Sequence, residues 1–454
     1  MKESKFMNKF ESKLIPIARM ISENKYLMSI RDGFLIGMPL LIIGSFFMLI
    51  SNFPIPAWMS LLRNTSVNGV TIASYFSVVT NATYSIMAIF IVMGIGFNFA
   101  KREKTNPIFG AAVALMSWFM LMPFTTTVTV ESTGEILSVA SVPLDWVGSK
   151  GIFLGIISSF VAVNIYKKIE AKGWVIKMPH GVPPTVAQAF SSLVPVGVVA
   201  VVFFFIQIGF SFTSFGNAFN FIFTVLQMPL QNIGDSLGTM LGVYLFAHIL
   251  WMFGIHGTNI TDSVFRPILY TLSAENLAAL SAGSPLPHII NVQFQDLFAT
   301  YGGGGSTLSL LIAMFFFCKS KRIKELGKLA IIPSIFGINE PVIFGLPVVL
   351  NPIIAIPFIG VPLINIVISY MTMKVGLVPI CNGVVMPWTT PPIISGFLSS
   401  GWQGSVLQIV LITLGIFIYL PFIKTMDKSY ILEEEKFELA GEDEISLDDL
   451  SFED

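Results

Sequence analysis

Asn339 and Glu340 set an amide beside a carboxylate in residues 336–352, F-G-I-N-E-P-V-I-F-G-L-P-V-V-L-N-P, a stretch otherwise apolar and broken by proline. From residue 329 to residue 373 Glu340 is the only charged side chain. An ionised group at bilayer depth costs roughly 2.5–3.5 kcal/mol on insertion scales, so its retention points to function. The competing reading is a carboxylate in an ordinary loop at a membrane surface. Pro341 lacks an N–H and biases Glu340 away from the helical region, and Pro347 and Pro352 follow too closely for one helix to continue. Non-helical backbone in a membrane is tolerated where protein buries it or where it lines a cavity. The pattern therefore predicts a re-entrant hairpin with Glu340 at its tip.

Two further stretches carry side chains suited to the same chemistry. Residues 251–257 read W-M-F-G-I-H-G, ending an apolar span with His256. A histidine there can serve a ligand site, or it can simply bond backbone at a helix end. His248 lies eight residues earlier, roughly 80° away around an ideal helix and two turns along, and a packing role is expected for it. Residues 376–392, G-L-V-P-I-C-N-G-V-V-M-P-W-T-T-P-P, form a second apolar stretch broken by proline, with Trp388 next to Thr389. Two broken hydrophobic segments are the sequence pointer to a transporter's binding site. Trp388 could instead belong to an interfacial belt. Glu340 can accept from paired donors, Asn339 and His256 can donate and accept, and Trp388 offers a flat apolar face.

The elements that would hold these residues are membrane helices. The chain has 454 residues, of which 54% are hydrophobic and 12% charged; its mean hydropathy is +0.77. A globular domain carries about 25% charged residues, so the reading is an all-α polytopic membrane protein. Spans are expected near 33–53, 83–100, 106–124, 151–166, 187–210, 236–255, 352–371 and 404–423, each close to the roughly 20 residues a bilayer needs. Basic clusters at 101–104, 167–172, 319–328 and 424–428 assign those loops and both termini to the cytoplasm. Residues 1–31 combine Lys and Arg with Phe6, Phe10, Leu14 and Ile17, an amphipathic helix for the inner leaflet. Arg31 and Asp32 read as a local ion pair, and His180 as a solvated loop histidine. Residues 260–303 hold Asp262, Arg266, Glu275, His288 and Asp296 without a long apolar run, which suits amphipathic or cavity-lining helices. The Gly-rich run at 301–307 lacks the Lys-Ser/Thr ending of a P-loop and is read as close helix packing. From Leu432 onward 11 acids face one base, and residues 429–454 are expected to be a disordered acidic tail. Cys318 and Cys381 fall in different segments and suggest neither a disulfide framework nor a metal site.

G-I-N-E-P-V-I-F-G-L-P and W-x-F-G-I-H-G resemble the signatures of the membrane subunit, enzyme IIC, of bacterial sugar phosphotransferase systems, in the lactose/cellobiose/diacetylchitobiose branch; the resemblance runs from about residue 30 to 424. It implies about ten spans with two re-entrant hairpins and interfacial helices. A membrane half at 33–235 would carry a homodimer interface, and a half at 236–428 would bind and carry the substrate in an elevator-like movement. It implies a bacterial cytoplasmic membrane and a β-linked disaccharide, of cellobiose or diacetylchitobiose type. The sugar would be phosphorylated as it crosses by a soluble IIB subunit bearing phosphocysteine, itself charged through IIA. His256, Asn339, Glu340, Trp388 and Thr389 would bind sugar, with Glu340 and His256 closest to the chemistry.

No domain that could carry the phosphocysteine is evident, which resembles stand-alone subunits more than fused ones. No cofactor, metal or nucleic acid is expected, and no Walker motif offers ATP as an energy source. Two rivals from other classes stay open. A cation-coupled disaccharide symporter would use Glu340 as its proton site; a membrane sensor would signal through the acidic tail.

Overall fold

The computed structural model describes residues 23–51, 56–129, 136–179, 181–346 and 351–448, with isolated positions at 16, 20 and 348. Most of the expected N-terminal amphipathic helix, His180 and Pro347 lie outside the described residues. Helices dominate, accompanied by two small antiparallel hairpins: Ser66–Val67 pairs with Val70–Thr71, and Thr125–Thr129 pairs with Ile136–Ala140 in the register Thr125 to Ala140.

The first group of helices comprises α1 (Lys25–Ser51), α2 (Ile72–Thr83), α3 (Met87–Arg102), α4 (Pro107–Met120), α5 (Ile152–Ala171) and α6 (Pro184–Ser211). Local chemistry explains their starts. Pro107 occupies the first turn of α4, where a missing N–H costs nothing, and Asn106 Oδ1 accepts from the Ile108 and Phe109 amides at 2.9 and 3.2 Å. α1 packs on α2 and α3, and α4 sits against α3 and α5. At the lysine-rich end, buried Glu103 joins α1 to α5 through Lys25 and Lys167. Burial alone would raise its carboxyl pKa, but hydrogen bonds from Lys167 and Lys25 hold it below the usual value.

The second group comprises α7 (Leu237–Met252), α8 (Gly257–Ser281), α9 (Thr307–Phe317), α10 (Lys321–Ile335), α11 (Glu340–Gly345), α12 (Pro352–Lys374) and α13 (Ile394–Asp448). α7 follows segment Ala218–Gly234 across a 74° bend. α13 is interrupted at Ser400 and Gly401, which leave helical geometry.

Seven helical segments among the described residues are long and apolar enough to cross a membrane, or eight with the bent pair. The count falls short of ten for identifiable reasons. α4 is apolar but has 14 residues; α8 has 25 residues but carries Asp262, Arg266 and Glu275. The C-terminus departs from expectation: residues 429–448, read as a disordered tail, continue α13. Glu434 within that segment and Asp427 just before it are anchored at the start of α10. Asp427 accepts from the Lys319 and Ser320 amides, and Glu434 accepts from Ser320 Oγ and the Lys321 and Arg322 amides, so two carboxylates satisfy the free N–H groups that open α10.

Candidate functional site

A cavity of about 460 Å³ lies between α1 and the second group of helices. Its wall includes His256, Asn339, Glu340 and Trp388, residues separated by up to 132 positions in the chain. Thr389 is not among the lining residues; its neighbour Thr390 is, turned by bonds from its own N–H and Oγ1–H to the Pro387 carbonyl.

Asn339, at the end of the turn after α10, is the N-cap of α11, and Glu340 and Pro341 form its first turn. Asn339 is buried and donates from Nδ2 to the Gly304 carbonyl at 2.9 Å, which fixes its amide plane. Glu340 is exposed and has no hydrogen-bond or ion-pair partner among the described residues. Its carboxylate faces the cavity with acceptors unspent, within electrostatic reach of His256. The turn that delivers the pair depends on Gly337 at φ +82°, where a Cβ would stand 3.0 Å from the Trp388 ring. The two proline-broken stretches thus pack on each other through one glycine and one indole.

His256 is the N-cap of α8. Its Nδ1 accepts from the Asn259 amide at 3.3 Å and from Thr258 Oγ1 at 3.1 Å. An imidazole that accepts at Nδ1 and is neutral carries its proton on Nε2, so the ring presents a donor on its other edge. Trp251 lies against it with ring centroids 4.3 Å apart. His256 bonds helix-end backbone and also lines the cavity. His248 is fully buried and spent on structure, donating from Nδ1 to the Tyr244 carbonyl at 2.7 Å and accepting at Nε2 from the Gly305 amide at 2.9 Å.

The Gly-rich run is more than close packing. Helical turns at 292–299 stop at Thr300, which is extended, and Gly302, Gly303, Gly305 and Ser306 all have positive φ before α9 begins. Gly303 approaches Asn339 and Gly304 approaches Trp251 so closely that a Cβ would stand 2.6 Å and 3.2 Å from them. The freed backbone is caught by side chains. Tyr419 Oη donates to the Gly305 carbonyl at 2.5 Å, and Asn365 Nδ2 donates to Ser306 Oγ at 3.0 Å and the Ala299 carbonyl at 3.2 Å.

Comparison with known proteins identifies the scaffold. The family model described as "Phosphotransferase system, EIIC" matches residues 31–362. The chain belongs to the EIIC family of the phosphotransferase system. It is 37% identical to the oligo-beta-mannoside-specific EIIC component of Bacillus subtilis (strain 168), over 93% of this chain and 94% of the relative. It is 38% identical to the cellobiose-specific EIIC component of Geobacillus stearothermophilus, over 95% and 96%. The crystal structure of the transporter ChbC, the IIC component from an N,N′-diacetylchitobiose-specific phosphotransferase system, superposes with a TM-score of 0.90 at 37% identity. The match covers 94% of this chain and 99% of that one.

Within this EIIC chain the cavity holds groups that sequence reasoning did not assign to it. Trp251 lines it with a buried Nε1–H that has no partner among the described residues. Arg266 forks onto Asp296 at 3.0 and 2.5 Å and reaches Asp262 at 3.1 Å, while Gln295 donates to Asp262 at 2.8 Å. α1 contributes Arg31, Phe34, Leu35 and Met38, whose i, i+3, i+4, i+7 spacing makes one helical face. The signal for the ion network was its charge in an otherwise apolar region. Its pairing spans 30 residues and has no local mark.

Proposed function

We propose that this chain is the sugar permease of a phosphotransferase system, carrying a β-linked disaccharide of cellobiose or diacetylchitobiose type across a bacterial cytoplasmic membrane with coupled phosphorylation. The observation that carries the reading is the convergence of Asn339, Glu340, His256 and two indoles on one cavity in a chain of the EIIC family. Pocket volumes of about 300–1,000 Å³ suit ligands of this size. The unpartnered Glu340 carboxylate orients the reacting hydroxyl, taken to be the sugar 6-hydroxyl, and accepts its proton; the His256 Nε2–H donates to a neighbouring hydroxyl, and Asn339 and Trp388 bind the ring. The phosphoryl group comes from a phosphocysteine of a soluble IIB subunit, recharged through IIA, that docks on the basic, cytoplasmic side. The substrates named for the relatives, beta-mannosides, cellobiose and diacetylchitobiose, support the β-linked class. The same reading includes a homodimer built through residues 33–235 and a moving substrate-binding half at 236–428.

Proteoliposomes with labelled cellobiose outside and phosphorylated IIB inside test this. Sugar phosphate accumulating only with the partner supports the proposal. Free sugar accumulating under a proton gradient without the partner refutes it in favour of a symporter. Glu340→Gln keeps measurable sugar binding while phosphoryl transfer falls about 10²-fold or more. Undiminished transfer in this variant would remove the base role.

A further inference from the structure

The cavity wall holds two cations among the described residues, Arg31 and Arg266, and their surroundings differ. Arg266 is committed to two carboxylates, Asp296 and Asp262, so that cluster carries a formal excess of one negative charge. Glu340 adds another carboxylate to the same wall. Arg31 sits in the opposite balance. Its Nε and Nη2 both reach one oxygen of Asp32, at 3.0 and 2.9 Å, and the other Asp32 oxygen is taken by Arg102. Two guanidiniums share one carboxylate, Nη1 of Arg31 has no partner among the described residues, and Arg102 Nε is buried without one. The Arg31 side chain keeps 38% of its surface exposed. It lies less than two turns from the start of α1, at the end where Lys25 meets Glu103. The wall is therefore acidic around Arg266 and Glu340, and toward the Lys25 end of α1 it has a spare guanidinium.

We infer that Arg31 binds the phosphoryl group of the sugar phosphate at the α1 wall of the cavity, and that Asp32 limits the strength of that binding. The inference rests on the phosphotransfer reading above. In that step the donor's S–P bond breaks, an O–P bond forms to the sugar hydroxyl, and the hydroxyl proton passes to Glu340. A neutral ligand becomes a phosphate monoester of about −1.5 to −2 charge at pH 7. The carboxylates that suit the neutral sugar then repel its product. Arg31, with an open guanidinium edge matched to phosphate oxygens, draws it away from them toward α1. Phe34, Leu35 and Met38, on the same face of α1, give the rest of that wall no anion-binding capacity of its own.

Equilibrium binding of a β-disaccharide and of its 6-phosphate to the purified full-length protein tests the assignment. Arg31→Gln is expected to weaken 6-phosphate binding at least tenfold while neutral sugar binding stays within twofold, which also shows that the variant is folded. Arg31→Lys recovers part of the loss, because it restores charge without the fork. Asp32→Asn has the opposite sign and tightens the 6-phosphate. If Arg31→Gln moves both affinities equally or neither, or if the wild-type protein does not bind the 6-phosphate, the inference falls. If both ligands bind as described but no donor-dependent phosphorylation occurs in liposomes, the anion site stands and the phosphotransfer reading fails.

Discussion

The helices of residues 25–211 and those of residues 237–448 solve the same problem, burying backbone in an apolar medium, in different ways. The first group keeps its longer helices intact and brings them together through small residues. A Cβ on Gly94 would stand 2.7 Å from the Gly33 carbonyl, and one on Gly96 would stand 2.6 Å from the Ala114 methyl; such contacts let backbones touch and supply dispersion in place of a hydrophobic drive. The second group breaks its helices around 300–306, 336–339 and 375–393 and must supply partners for the backbone it releases. Amide side chains do this. Asn276 donates to the carbonyls of His288 and Cys381, Asn382 to that of Leu398, and Gln408 to that of Leu297 while accepting from the Ile393 and Gly396 amides. Among the described residues every buried Asn or Gln lies at Gln227 or later. Buried amides thus concentrate where helices are broken around the cavity and in the segment just before α7, whereas the first group relies on close glycine contacts between intact helices.

The sharpest way to break this contrast is Arg266→Met. Removing the guanidinium leaves Asp296, 9% exposed, without its counter-charge, a loss on the order of 3–5 kcal/mol by thermal or denaturant unfolding. Asp296→Asn in the same chain should restore part of it. A smaller effect is expected from Gly305→Ala. The added methyl would stand 2.2 Å from the Phe358 ring at a φ of +77°, costing roughly 2–3 kcal/mol and abolishing sugar binding along with the loop's shape. Gly96→Leu makes the matched test in the first group. It should cost about 1–3 kcal/mol of stability yet leave sugar affinity per folded molecule within about twofold. Equal damage to affinity would show that the two regions are not separable.

The smallest expected effect is electrostatic. His288, in the loop after α8, holds Asp235 at 3.1 Å and Glu275 at 2.7 Å, tying the 74° bend before α7 to α8. Burial lowers the imidazole pKa, but the hydrogen bonds and charges of Asp235 and Glu275 outweigh it and lift the pKa to about 9. A pKa raised on folding contributes stability in full below the unfolded value near 6.5 and loses it as pH rises through about 9. Thermal stability should therefore fall between pH 7 and 10, and His288→Gln should flatten that limb.

Local features were legible in the sequence because each acts through its own neighbours. Proline spacing predicted the breaks at 336–352 and 376–392, hydropathy predicted the helical membrane class, and the isolated charge of Glu340 singled out a residue that lines the cavity. The motif around His256 likewise singled out a cavity-lining residue, and His248 was legible as packing from its place inside a span.

What the sequence by itself determined is thus where helices must stop and which polar groups an apolar region cannot hide. Only the tertiary structure decided that the Gly-rich run forms a third break rather than a plain helix contact, that Thr390 and not Thr389 reaches the cavity, and that Trp251 and Arg266 line it. It also decided that Arg31, besides forming the expected local ion pair with Asp32, is part of the wall, and that Asp427 and Glu434 cap α10. These outcomes depend on contacts across tens to hundreds of residues, such as Asn339 with Gly304, Tyr419 with Gly305 and Glu434 with Ser320. Helical periodicity and hydropathy report on a residue's own turn of chain; which distant group meets it is set when the broken helices pack and their freed backbone must find partners.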